Sequence, residues 1–247
     1  MTIAPYSPNQ MIIRKLDSIF PLTDEEKQGL MDLPVQTKDV KTNHDIVRVG
    51  DQPAYCCLIV EGFTCVYKVS FEGKRQIMAL HVPGDIPDLQ SLHLKVLDIN
   101  IASISPCKLG FIQHKDLYHL CEHHPRLTAV FWRETLVHAS LFREWLLNIG
   151  QREAYSRIAH IICELMLRLK AVGLVEDNTF NMPVTQAEIA DATGMTPVHV
   201  NRVFQALRSD GLISTEKSRM TIPDWDKIQQ AGEFDPLYLH IEKAAAS

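Results

Sequence analysis

The chain has 247 residues, 46% hydrophobic and 22% charged, a balance that excludes a disordered polypeptide. Its formal net charge of -5 argues against a protein that binds nucleic acid by bulk electrostatics, as a histone does. Met1 to Pro8 has neither a basic start nor an apolar run, and Cys56 to Val60 is far too short to span a bilayer. The expectation is a cytoplasmic protein with no membrane contact, whose six cysteines are reduced thiols.

Taken in chain order, the first half is punctuated by Gly50, Gly62, Gly73 and Gly84, with Val-, Ile-, Tyr- and Phe-rich runs between them. Short strands at that spacing predict an all-β barrel. A tandem repeat would have the same period, but the segments do not resemble one another beyond the glycines. From Arg126 to Ile149 apolar residues recur at helical spacing in two stripes. Phe131, His138, Phe142 and Trp145 lie on one, Val137 and Leu141 on the other. Two stripes need two packing partners: the barrel, and either a second copy of the helix or the rest of the same domain. These six residues are the candidate dimer contacts. Gly150 is expected to interrupt, with a second helix from about Arg152 to Ala171 ended by Gly173. The domains read as 1–124, a β-barrel able to hold an effector; 125–149, a dimerisation helix; and 150–247, a DNA-binding module.

That last assignment rests on Thr185 to Gly211. Thr185 with Glu188 forms a capping box that starts a helix, and Gly194 breaks it. Thr196-Pro197 starts a second helix two residues later. Helix, short glycine turn, helix is the helix-turn-helix pattern. On the second helix Val200, Val203, Phe204 and Leu207 predict the buried face. Val198, Asn201, Arg202, Gln205 and Ser209 predict an outer face free of acidic residues. Arg can fork onto guanine, Asn can pair with adenine and an apolar methyl suits thymine. Arg202 is the expected principal base reader, refined by Asn201, Val198 and Gln205. Thr185, Gln186, Thr196 and His199 stand at the first turns of the two helices, where phosphate contacts form. Leu212–Thr215 and Ser218–Ile222 predict a hairpin wing. Its Lys217 and Arg219 are either phosphate contacts or solvated turn charges.

The arrangement resembles the superfamily of the cyclic-AMP receptor protein and the fumarate-nitrate reduction regulator, over roughly residues 35 to 225. Thr196-Pro-Val-His-Val-Asn-Arg202 looks like the recognition helix of a proteobacterial branch, as does the stretch from Phe142-Arg-Glu-Trp145 to Gly150-Gln-Arg-Glu153. The resemblance implies an α+β fold: an N-terminal double-stranded β-helix of the cyclic-nucleotide-binding type, a long dimerisation helix and a C-terminal winged helix-turn-helix. It also implies a homodimeric transcription regulator on two-fold symmetric double-stranded DNA, with RNA polymerase as a candidate partner and an unknown small-molecule effector.

Two departures bear on the effector. Cyclic-nucleotide binders carry Gly-Glu and then, about ten residues on, an arginine that clamps the phosphate. This chain has Gly84-Asp85, Asp98 where a cation is needed, and no arginine between Arg75 and Arg126. Gly84, Asp85 and Asp98 mark the expected pocket, but cyclic AMP is not its expected ligand. The iron–sulfur branch needs clustered N-terminal cysteines, and none precedes Cys56. Val198 replaces a glutamate of both well-known branches, whereas Arg202 matches their base-reading arginine.

No metal, cofactor or catalytic role is expected. Cys121-Glu122-His123-His124 lacks a second ligand cluster at zinc spacing, and no His-x-His strand pattern is present. A redox-sensing thiol stays open, since exposure and pKa are not legible. The competing reading is a small-molecule or metal-binding β-barrel protein whose helical tail mediates protein contacts.

Overall fold

Ser7 and Thr23 open two helices that the glycine beat does not announce. Each side-chain hydroxyl accepts the third backbone N–H, while Gln10 and Glu26 reach back to the capping residue. The computed structural model describes residues 6–242, and these helices, α1 (Pro8–Ile19) and α2 (Asp24–Met31), precede the first strand. The part read as 1–124 barrel therefore begins with a helical pair. α1 buries Met11, Ile12, Leu16 and Ile19, and with them Lys15.

The strands follow as β1 (Gln36–Val40), β2 (Asp45–Val47), β3 (Tyr55–Glu61), β4 (Thr64–Val69), β5 (Arg75–His81), β6 (Asn100–Ser103) and β7 (Cys107–Gln113). They form two antiparallel sheets, ordered β1-β7-β3 and β2-β6-β4-β5. All four beat glycines adopt positive φ, so the rhythm marks turns. At Gly62 a Cβ would also meet the Pro106 carbonyl oxygen at 2.3 Å. Cys56 and Cys57 point to opposite faces of β3 and join different apolar clusters. Five of the six cysteines are buried. Burial pushes the Cys65 and Cys163 thiols up to about 12, far from the thiolate chemistry a redox sensor needs.

Asp88, in the loop after β5, is fully buried with one oxygen accepting the Cys57 N–H at 2.8 Å and the other unpartnered. Burial raises its carboxyl to about 7, against an ordinary 3.8. A raised folded-state value means that its contribution is full below pH 3.8 and is lost as pH rises through 7. Asp88→Asn is therefore expected to stabilise the fold by about 2–4 kcal/mol at pH 8 and by almost nothing at pH 4. Urea melts at the two pH values check this. Equal effects at both would show that the carboxyl ionises as freely in the fold as in the open chain.

After α3 (His114–His123), α4 runs from Pro125 to Gln151. It continues through Gly150, contrary to the expected break there. That glycine is exposed with open space around it, and the roughly 1 kcal/mol a helical glycine costs is too little to end a helix. The chain turns instead at Arg152, whose backbone is extended and whose guanidinium donates to Glu144 at 2.6 Å. α5 (Ala154–Ala171) is buried along most of its length. Then come β8 (Thr179–Asn181), α6 (Gln186–Thr193), α7 (Pro197–Ser209), β9 (Ser214–Glu216), β10 (Arg219–Thr221) and α8 (Trp225–Ala231). The expected hairpin forms, and β8 adds a third strand in the order β8-β10-β9. Pro236–Leu239, a 3-10 turn, returns the chain to α4 and α5. There Tyr238 donates to Glu164 at 2.9 Å and Glu242 N–H donates to Ser18 of α1 at 2.8 Å.

Candidate functional site

The helix-turn-helix is built as its residues dictate. Thr185 caps α6, its hydroxyl accepting the Glu188 N–H while the Glu188 carboxylate accepts the Thr185 N–H at 2.6 Å. Gly194 closes α6 in the left-handed region at φ 69°. Thr196 caps α7 by accepting the His199 N–H at 3.3 Å, with Pro197 at the first helical position. Val200, Val203, Phe204 and Leu207 are buried, as their spacing predicts. α7 packs through them on α5 and α6.

The opposite face is open. Thr196, Val198, His199, Arg202, Gln205 and Ser209 are exposed, Val198 to 64%. Thr185 is also exposed, and Gln186 is half-buried. Asn201 is half-buried because its amide donates to Gln186 Oε1 at 3.0 Å. Asn201 thus ties the two helices together with one end of its amide and leaves its carbonyl for a second partner. Lys217 and Arg219 are exposed on the wing, Lys217 at positive φ in the turn. Along Thr196 to Arg219 the cations Arg202, Arg208, Lys217 and Arg219 outnumber Asp210 and Glu216. Asp210 is moreover engaged by the Tyr155 hydroxyl at 2.6 Å. The result is a narrow positive face on an acidic chain.

The module is held to the β-domain by contacts that the motif does not announce. Arg75 of β5 pairs with Asp191 of α6 at 2.7 Å, and Gln76 donates to the Ala192 carbonyl at 3.3 Å.

The expected dimer residues divide. Phe131, Val137, Leu141 and Trp145 are buried within their own chain, which corrects their assignment. Phe131 joins the cluster around α1 and α3, and the other three join the large cluster shared with α5. His138 is mostly covered and paired with Glu134 at 3.1 Å, so it too faces inward. Only Phe142, 41% exposed, faces out. The free apolar face consists of Trp132, Leu136, Leu146 and Leu147, exposed to between 47% and 74%. Both expected stripes are covered within the chain apart from Phe142, and the apolar face left free is a third one, on neither stripe.

The expected effector residues are corrected too. Gly84 has α1 against it: a Cβ there would meet the Lys15 side chain at 2.8 Å. Asp85 is fully buried between Lys15 Nζ at 3.0 Å and Arg168 at 2.5 Å. Burial alone would raise its carboxyl, but these two cations hold it well below the usual range. Both residues are thus filled from inside by the chain itself. Asp98 sits on the rim of a cavity of about 300 Å³ and pairs with Lys68 at 2.8 Å. That cavity lies between β4–β5 and α4, with Met78, His81, His138, Phe142, Glu164 and Arg168 in its wall. It displaces the expected pocket by one layer, toward the long helix.

Comparison with known proteins places both halves. Residues 37–124 match the Cyclic nucleotide-binding domain family, and residues 156–231 match the Crp-like helix-turn-helix domain family. The transcriptional activator protein FnrL of Cereibacter sphaeroides is 24% identical over 215 residues, 85% of this chain and 86% of that protein. The nitrogen fixation regulation protein FixK of Azorhizobium caulinodans is 24% identical over 165 residues, 67% of this chain and 66% of its own length. Among solved structures, FixK2 from Bradyrhizobium japonicum superposes with a TM-score of 0.72 at 19% identity, covering 81% of this chain and 98% of that one. With a cyclic-nucleotide-binding fold, a long helix and a capped, open-faced helix-turn-helix joined in one chain, the protein belongs to the Crp/Fnr family of DNA-binding transcription regulators.

Proposed function

We propose that the protein acts as a homodimer on a two-fold symmetric double-stranded DNA site, each copy laying α7 in a major groove. The observation that carries this reading is the outer face of α7: exposed, free of acidic groups and led by Arg202. Arg202 forks onto guanine, while Val198, Asn201 and Gln205 refine the choice of neighbouring bases. Thr185, Gln186, Thr196, His199, Lys217 and Arg219 set the register through phosphates. The barrel acts as a regulatory domain whose ligand is a small molecule in the cavity beside α4. Cyclic AMP is disfavoured, because Asp98 and buried Asp85 offer no free cation to a phosphate. The activator names of relatives support RNA polymerase as a further partner. No described helix is long and apolar enough to cross a membrane, which supports a cytoplasmic site of action. Regulation, not catalysis, is the role the domains support.

The homodimer is attributed to Trp132, Leu136, Leu146 and Leu147. An exposed apolar stripe on a helix of 27 residues is unusual unless a partner covers it. Leu136→Glu with Leu146→Glu is expected to yield a folded monomer, since surface changes cost about 0.5 kcal/mol or less. Losing the paired half-site should weaken DNA binding by about 10²- to 10⁴-fold. Size-exclusion chromatography with light scattering reads the first effect and a gel shift the second. An unchanged dimer would move the interface elsewhere.

A further inference from the structure

Where α1, the loop after β5, α4 and α5 meet, the fold buries five charged groups and two imidazoles. Lys15 Nζ lies 3.0 Å from Asp85 and 3.4 Å from Glu134. Arg168 contacts Asp85 at 2.5 Å and Glu164 at 3.0 Å. His138 Nε2 stands 3.1 Å from Glu134, and His81 Nδ1 stands 3.4 Å from Asp85. Three carboxylates face two fixed cations, with the two imidazoles beside them. A buried carboxylate without a partner costs several kcal/mol, so the third calls for a further positive charge.

The donor atoms point to what supplies that charge. Neither ring nitrogen of His81 has a hydrogen-bond partner, and the residue is 4% exposed. Both Glu134 carboxylate oxygens and His138 Nε2 are likewise buried without a hydrogen bond. One donor atom from each of Asp85, Glu134 and His138 lies within 4.8 Å of the other two. Tetrahedral ligands bonded at roughly 2.0–2.2 Å stand about 3.3–3.6 Å apart, a few tenths of an ångström beyond the 3.1 Å between His138 Nε2 and Glu134.

We propose that Asp85, Glu134 and His138 bind a divalent transition-metal ion, with His81 beside it and the Lys15 ammonium as the resident competitor. One imidazole with two carboxylates suits Zn²⁺, Fe²⁺ or Mn²⁺. Lys15 already spans the two carboxylates, so metal and ammonium are alternatives. Exchanging one positive charge for two balances the three carboxylates against metal and Arg168. His81 and His138 also line the cavity, so a position left open on the metal faces it. Because Glu134 and His138 lie on α4, the ion would link the barrel to the helix bearing the proposed dimer face.

The test uses the full-length, chelator-treated chain carrying His119→Ala and His123→Ala, which removes the neighbouring surface imidazole pair on α3. Co²⁺ is the probe, its visible absorption reporting coordination number and its titration the stoichiometry. One ion per chain is expected. Lys15→Met should tighten binding by about tenfold or more, and His138→Ala should weaken it by about tenfold or more. Both variants keep the buried Asp85–Arg168 pair, so neither removes the ion pair that anchors the cluster. Failure of both the parent and Lys15→Met to bind at millimolar Co²⁺ would overturn the site, as would full-strength binding by His138→Ala. Neither result bears on DNA binding, which the gel shift reads separately.

Discussion

Arg202→Ala is expected to abolish sequence-specific DNA binding while leaving the fold and oligomeric state intact. The side chain is exposed, on the face of α7 opposite the buried Val200, Val203 and Phe204, so its removal opens no cavity. A bidentate arginine–guanine contact contributes about 1–3 kcal/mol, and a dimer makes two, so the loss is roughly 2–6 kcal/mol. That corresponds to about 30- to 10⁴-fold in affinity for the specific site. Non-specific affinity should fall far less, because one of several local cations is removed. Lys217→Ala is the control: weakening should be uniform across sequences, with a shallower salt dependence. Gel shifts at fixed ionic strength decide the matter, and an unaltered specific affinity for Arg202→Ala would remove Arg202 from the base-reading role.

Asp85→Ala is expected to destabilise the protein by about 1.5–3 kcal/mol, since it removes the carboxylate that both the Lys15 ammonium and the Arg168 guanidinium contact and leaves them only Glu134 and Glu164. For a chain of this size that is a fall in Tm of roughly 3–12 °C. A residue that merely touched a ligand in an open pocket would leave Tm where it was. The pH dependence has a definite sign. Asp85 is held well below its ordinary 3.8, so its contribution is present above 3.8 and is lost only as pH falls through the depressed value. The gap between wild type and variant should therefore stay constant from pH 5 upward and narrow only in strong acid. Thermal melts across that range read both effects, and a gap that began to close near neutrality would show that the Asp85 carboxyl is raised by burial instead of held low by its two cations.

Local signals carried the DNA-binding module almost completely. Thr185 with Glu188, Gly194 in the left-handed region and Thr196-Pro197 act within a few residues, so caps, turn and buried face were legible before any packing was known. The glycine beat likewise announced the turns of the barrel. Less was legible where a residue's partner is remote in the chain. Nothing near Asp85 says that Lys15 and Arg168 will meet it, so a pocket assignment borrowed from a motif position failed there. Gly150 looked like a break, yet a helix tolerates one exposed glycine when tertiary contacts hold it on both sides.

What the sequence by itself determined is the kind of protein: two capped helices and a wing, a turn-punctuated β-domain, and a long two-striped helix between them. Its acidic net charge coexists with a DNA-reading face because four cations concentrated near α7 and the wing set the local field. Tertiary structure alone decided which face of α4 stays free, where the cavity lies, and that Gly84-Asp85 is filled by α1 and α5. The physical reason is one of range. Capping and turn formation are settled over three or four residues, whereas burial and ion pairing are settled by whatever distant segment arrives, and here that segment includes Lys15, some seventy residues upstream of Asp85.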